Sequence, residues 1–304
     1  ESIYRRSVIG SIEELNSARI EDARAFHEAY YRPATATMIV SGNFDPAQLN
    51  RWVDQYFADI PNPDRPVPVF ERPVETPRTA PRRVDAYAPN VPLPAVGVIY
   101  PGMAADHPDN AAMEVLQAIM SRGESSRLYQ SLVYRSQLAS SAGFGANAME
   151  EDGVLSATAT VAQGKAIADV EAALDAELAR IRDEPVTAAE LAEARTEIVA
   201  SELRQRETSS GRAFILGQSI VSENNPRAAD ERLAAIQAVT AADVQRVART
   251  WLNDQARVSV RYRDESARPE GVPEDSWRNP APVPTYLTVP PAVLAANELL
   301  PEDQ

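Results

Sequence analysis

Imidazoles and thiols are the side chains that most often hold metals or attack carbonyls at neutral pH, and this chain of 304 residues carries two histidines and no cysteine. His27 and His107 stand 80 residues apart. His27 lies in Phe26-His27-Glu28-Ala29-Tyr30 on a helical stretch from Asp22 to Tyr31, with no second histidine at i+4, so a two-histidine zinc face is excluded there and a helix-surface residue is expected. His107 precedes Pro108 at a helix entrance, a place for an ordinary polar residue. No Gly-x-Ser-x-Gly elbow offers a serine nucleophile. Gly123-Glu124-Ser125-Ser126-Arg127 could aim backbone N–H groups at an anion, but no Lys-Ser/Thr follows, and the pattern predicts serine capping of the helix that comes next. Gly143-Phe144-Gly145 sits inside a strand pattern, which removes a dinucleotide fingerprint. Carboxylate pairs such as Glu13-Glu14 and Glu150-Glu151 read as solvated charge. No catalytic residue and no metal ligand set can be assembled from these positions.

The elements that position these residues follow from periodicity. Ala95 to Tyr100 predicts a buried strand, and Asn110 to Met120 a helix with Met113, Leu116 and Met120 on one side. A short helix is expected after Gly123, then strands from Leu138 to Ala148 and from Val154 to Val161. In the latter, Leu155, Ala157, Ala159 and Val161 alternate with Ser156, Thr158 and Thr160, and Glu150-Glu151-Asp152-Gly153 reads as the hairpin turn. Ile167, Val170, Leu174, Leu178 and Ile181 form one helical stripe, and Thr187 with Glu190 makes a capping box for the next helix. Val258, Val260 and Tyr262, alternating with Arg257, Ser259 and Arg261, predict a half-exposed strand. Residues 12–40 and 233–261 align at a constant offset of 221, pairing Asp22 with Asp243, Phe26 with Val247, Tyr30 with Trp251 and Ile39 with Val260. Both copies read helix, short loop, strand, as a duplicated unit would.

Composition bounds the partners. Forty-four acidic side chains against 30 basic ones give a formal charge of −14, which repels phosphate backbones and anionic headgroups, so neither nucleic acid nor membrane is an expected partner. No apolar run approaches the roughly 20 residues that cross a bilayer. Seven prolines between Pro61 and Pro81 and eight between Pro269 and Pro301 mark an extended linker and an irregular tail. The expected organisation is therefore 1–60, a linker at 61–81, a domain at 82–263 and a proline-rich tail at 264–304.

Several segments, in order, resemble the pitrilysin or insulinase-like zinc metallopeptidases, in particular their bacterial, mitochondrial-processing-peptidase-like branch. Tyr4-Arg5-Arg6-Ser7-Val8-Ile9-Gly10, Tyr30-Tyr31-Arg32-Pro33 and Ile39-Val40-Ser41-Gly42-Asn43-Phe44-Asp45 look like the end of that family's first domain. Gly123-Glu124-Ser125-Ser126-Arg127-Leu128 and Thr187-x-x-Glu190-Leu191 look like two marks of its second. The resemblance implies an α+β fold in duplicated processing-peptidase-like domains, each an antiparallel sheet packed with helices, the first copy here incomplete. It implies a zinc endopeptidase as the parent protein, with this chain its C-terminal half and a wall around a peptide substrate. The alternative is a non-catalytic scaffold subunit homologous to the peptidase. A periplasmic location is also implied, with the cytoplasm as the alternative.

Two departures follow from the same resemblance. The family's H-x-x-E-H motif binds zinc with its histidines and uses its glutamate as general base, and it would belong to the absent N-terminal domain, zinc being that domain's cofactor and none being held by this chain. The equivalent helix here, Glu114-Val115-Leu116-Gln117-Ala118, has no imidazole at either ligand position. The arginine and tyrosine with which many relatives hold substrate fall at Val133 and Ser140, neither of which supplies a cation or a phenol. The expected partners are thus the chain's own N-terminal domain and a second family subunit, in a heterodimer, bringing the missing pair. Metal analysis of the purified chain after dialysis is expected to find well under one zinc per chain, and a quenched-peptide assay no cleavage; one tightly held zinc per chain overturns this reading.

Overall fold

In a computed structural model the described residues are 12–68, 76 and 78–272. The proline-rich tail beyond 272 and the Tyr4–Gly10 motif lie outside them. The chain divides into two units between Thr76 and Pro77.

In the first unit α1 (Ile12–Ser17) leads to α2 (Ile20–Tyr30), and α3 runs over Pro46–Phe57. Asp45 starts α3 by accepting hydrogen bonds from the N–H groups of Ala47 and Gln48, with Pro46 at the first position, where its missing N–H costs nothing. Buried Arg32 donates from Nη1 to the carbonyl oxygen of Arg65 at 2.6 Å, and Arg65 pairs with Glu28 at 2.9 Å. The repeat expects a strand at Thr37–Val40, yet this segment pairs with no strand among the described residues. A strand persists only where a neighbour takes its backbone groups, which no spacing within one segment can supply.

The second unit is built on five strands: β1 (Arg82–Ala88), β2 (Ala95–Gly102), β3 (Ala139–Ala148), β4 (Gly153–Val161) and β5 (Val258–Asp264). Their order is β1-β5-β2-β4-β3, with β1 parallel to β5 and the remaining pairs antiparallel. One face of this sheet is covered by α4 (Asn110–Ser121), α5 (Ile167–Asp183) and α9 (Ala241–Trp251). Val96, Val98 and Tyr100 of β2 and Leu155, Ala157 and Ala159 of β4 alternate into that core, where they meet Leu116 and Met120 of α4 and Leu174 of α5. Alternation at period two against a stripe at period 3.6 is what joins these faces. Around the core stand α6 (Ala188–Gln205), α7 (Ser209–Glu223) and α8 (Ala228–Ala238).

Three expectations change in detail. The helix after Gly123 is a π-helix, Tyr129–Arg135, and neither serine caps it. Ser126 Oγ donates instead to the Gly123 carbonyl at 2.7 Å, and Ser125 Oγ to Glu193 at 2.6 Å, because the left-handed turn at Gly123 (φ 75°) aims both hydroxyls away from the helix start. The hairpin turn is one residue earlier than its glycine suggests: Gly153 already pairs with Ala148. On β5 the polar residues face the helices. Arg257 pairs with Asp175 of α5 at 2.8 Å and Arg261 with Glu171, which turns Val258, Val260 and Tyr262 to the other face of the sheet.

Gly153 is a glycine for lack of room. A Cβ there would press on the carbonyl oxygen of Met103, just beyond β2, and stand 2.8 Å from that of Asn147 on β3, both backbone atoms. Gly153→Ala is expected to lower stability by about 1–3 kcal/mol, read as a drop in urea midpoint at unchanged slope.

Candidate functional site

Glu114, Gln117 and Ala118, the three α4 positions compared above with H-x-x-E-H, are each engaged within the fold. Glu114 accepts from Arg232 of α8 at 2.6 Å. The same guanidinium donates to Glu202 of α6 at 2.8 Å, and Glu202 also pairs with Arg206 at 3.3 Å. Arg232 thus lies between carboxylates of two helices as a tethered cation, and it stays charged because the pull of Glu114 and Glu202 exceeds the burial that opposes it. Gln117 accepts the backbone N–H of Ala146 at 3.2 Å, while Ser121 donates to the carbonyl of Phe144 at 2.8 Å. Both partners lie on β3, the outermost strand, so α4 side chains occupy the outward backbone groups that an added strand would need. Ala118 is buried in the core. Among the described residues no group of three or more His, Cys, Asp or Glu could hold a metal ion.

The two motifs of the second unit meet in space. Arg127, 6 % exposed, grips Glu190 through Nε at 2.7 Å and Nη2 at 3.2 Å, a bidentate pair. Glu190 simultaneously accepts the N–H and hydroxyl of Thr187, which closes the capping box of α6. Burial alone raises the Glu190 carboxyl pKa, and the bonds from Arg127 and Thr187 outweigh it, drawing the value down to about 2. His107 and Asp109 form a second cluster at the start of α4. Buried Asp109 accepts from Arg246 at 2.7 Å and from the Trp251 indole at 2.9 Å; burial raises its pKa, and these bonds more than offset that and lower it. His107 packs edge-on against Trp251 and accepts from the Asp109 N–H, a structural role. His27 stacks on Tyr31 at the surface of α2.

Val133 and Ser140 are not brought into one polar site. Val133 lies on the π-helix, packed against the core. Ser140 is exposed in the irregularity between Ala139 and Ser141 at the start of β3, its hydroxyl 3.4 Å from the Thr160 carbonyl. The sheet face opposite the helices presents Ser141, Gly143 and Gly145 of β3, Ser156, Thr158 and Thr160 of β4, Ala95, Gly97 and Ile99 of β2, and Val258, Val260 and Tyr262 of β5. In this stretch Tyr262 is the only ionisable side chain, with Arg82 and Asp264 standing at the strand ends. Sequence alternation could have found this face. Arg232 and the contacts of Gln117 could not be read locally, since their partners are 118 and 29 residues away.

Residues 17–198, more than half of the chain, match the Peptidase M16 inactive domain. The chain belongs to this family. Among curated proteins it is similar to the zinc protease PqqE of Helicobacter pylori, 25 % identical over 263 residues, covering 84 % of this chain and 58 % of that protein. It therefore spans little more than half the length of the relatives it matches. Among solved structures, a protease from Helicobacter pylori shares the fold at a TM-score of 0.77 with 22 % identity, covering 84 % of this chain and 61 % of that one. A peptidase M16 inactive domain from Pseudomonas fluorescens does so at 0.72 with 16 % identity, covering 86 % and 61 %. The periplasmic protease PqqL from Escherichia coli matches at 0.60 with 14 % identity, covering 74 % and 25 %. The fold is thus that of a peptidase M16 inactive domain.

A carboxylate whose pKa is lowered on folding stabilises the fold above its unfolded value, here 4.5, and that contribution disappears as the pH falls through its folded value of about 2. Glu190→Gln is expected to cost about 2 kcal/mol at pH 7 and to make the fall in stability between those two values shallower, the lowered carboxyls of Asp109 and Glu171 keeping the remainder. Urea midpoints measured by circular dichroism across that range check both; an unchanged slope rejects the role given to Glu190.

Proposed function

We propose that this chain is the non-catalytic half of a zinc endopeptidase and that the open face of its sheet is a wall along which a peptide passes. Residues 1–60 would end the first peptidase-like domain and 82–263 form the second, the zinc being held in a part of the protein outside this chain. The observation that carries the reading is the open face itself. In a chain of charge −14, a surface of small hydroxyl, glycine and aliphatic residues tolerates peptides of varied sequence, having no fixed charge to select them. Because α4 occupies the outward groups of β3, the peptide lies across the face without adding a strand at Phe144–Ala146.

Exposed apolar residues support the presence of further partners. Phe26, Tyr31, Trp52, Tyr56 and Phe57 are all exposed in the first unit, a density that marks surface normally covered. We assign that cover to the protein's own N-terminal domain. A second family subunit supplies the arginine and tyrosine absent at Val133 and Ser140, giving a heterodimer. The periplasm is the proposed compartment, following PqqL.

The full-length gene product, purified with its companion subunit, is expected to hold one zinc and cleave an unstructured peptide. Thr158→Arg, a charge placed on the open face at an exposed position, should lower kcat/KM at least tenfold with zinc content unchanged. Unchanged cleavage by that variant rejects the wall; an intact assembly without zinc or cleavage identifies a scaffold subunit instead.

A further inference from the structure

The two margins of the sheet are finished differently. On β3 the outward groups of Phe144 and Ala146 are taken by Ser121 and Gln117. On β1, at the other margin, the ladder to β5 starts with the Arg82 N–H bonded to the Arg257 carbonyl at 3.0 Å, and a parallel pair uses every second residue from there. Arg83, Asp85 and Tyr87 therefore aim their N–H and C=O groups away from the sheet. Among the described residues no strand, loop or side chain bonds to any of these groups. Beside this margin lies a hollow of about 330 Å³, to which Val84 and Tyr87 of β1 and Pro269 and Val272 of the segment after β5 contribute.

Charge along the margin is uneven. Arg78 and Arg82 are exposed and have no ion pair among the described residues. Arg83, also exposed, reaches Glu171 at 3.4 Å, but that carboxylate is already bound by Arg261. The next carboxylates, Asp175 and Asp254, belong to Arg257 and Arg182. Towards the other end of β1 Asp85 balances Arg263 at 2.6 Å, and past β5 Glu265 balances Arg268. Asp264 caps the turn after β5, and exposed Glu270 follows. Excess positive charge is thus gathered at the start of the margin, around residues 78–83, on a chain whose formal charge is −14.

We propose that the free edge of β1 is a docking site for an extended acidic segment of a partner protein, added antiparallel as a further strand. The outward groups of Arg83, Asp85 and Tyr87 hold its backbone, an apolar side chain enters the hollow against Val84 and Val272, and its acidic end lies against Arg82 and Arg83. Backbone bonds give affinity to a strand of any sequence, and the arginines select an acidic one. A second copy of this chain is a poorer occupant, because it brings the same arginines to the same margin. The inference does not rest on the peptide-wall reading, since the open face lies between β1 and β3 and this edge is outside it.

Fluorescence anisotropy of the purified chain at low salt, with a labelled Thr-Val-Thr-Val-Glu-Glu amide, tests it. Saturable binding below about 1 mM is expected, about tenfold weaker for the Lys-Lys analogue and about threefold weaker in Arg82→Gln. That variant alters an exposed, unpaired side chain and should unfold at the parent urea midpoint. Methylating the peptide nitrogens of one alternate set of residues should abolish binding and methylating the other set should not, because only one set faces the strand. Hydrogen exchange at Arg83, Asp85 and Tyr87 should slow on binding. No saturation, equal binding of the Lys-Lys analogue, no effect of Arg82→Gln, equal effects of the two methylation patterns, or unchanged exchange at those amides each overturns the proposal. Slow exchange at all three in the free monomer, or exchange that slows as the chain dimerises, gives the edge to the chain itself or to a second copy and overturns it as well.

Discussion

One ion pair, that of Arg127 with Glu190, ties the two sequence motifs of the second unit together. A guanidinium with 6 % of its surface exposed is tenable only with a carboxylate beside it, and this one reaches its partner across 63 residues. Glu190 is fixed in turn by Thr187, so the bond that neutralises Arg127 also begins α6. Ser125 adds a second tie to the same helix through Glu193. The Gly-Glu-Ser-Ser-Arg segment therefore acts as a fastener between the end of α4 and the start of α6. Its glycine and serines resemble an anion loop only when the partner helix is out of view.

With those elements held, the fate of α4 becomes intelligible. Each of the three α4 positions compared with H-x-x-E-H has a task within the fold: Glu114 binds a guanidinium, Gln117 satisfies an edge-strand N–H, and Ala118 fills the core. The carboxylates of Glu114 and Glu202 face each other across two helices, and Arg232 of a third supplies the cation that offsets their repulsion. The outward backbone groups of β3 pose a parallel difficulty, because an uncovered edge invites pairing with another chain. Gln117 and Ser121 resolve it locally.

Charge is distributed unevenly in consequence. Arginines of β5 are paired with the acidic face of α5, which leaves the apolar alternate residues of that strand to the open side of the sheet. The net charge of −14 is thereby excluded from the broad central part of that surface. An average over the whole chain says nothing of this, and an acidic wall inferred from composition would misplace the charge.

The sequence by itself determined every element whose signal is local. The 3.6-residue stripe from Ile167 to Ile181, the alternation of β4 from Leu155 to Val161 and the Thr187–Glu190 box are all present as read, since each needs only residues within one turn or one strand. The family was legible too, because its motifs are short and ordered. What only the tertiary structure decided is which partners those elements receive. Whether Thr37–Val40 finds a strand to pair with, where the serines after Gly123 point, and what lies against Glu114 and Gln117 all turn on contacts between distant segments. Hydrogen bonds and ion pairs form wherever chain folding brings their atoms within about 3 Å, and spacing along one segment carries no information about that distance.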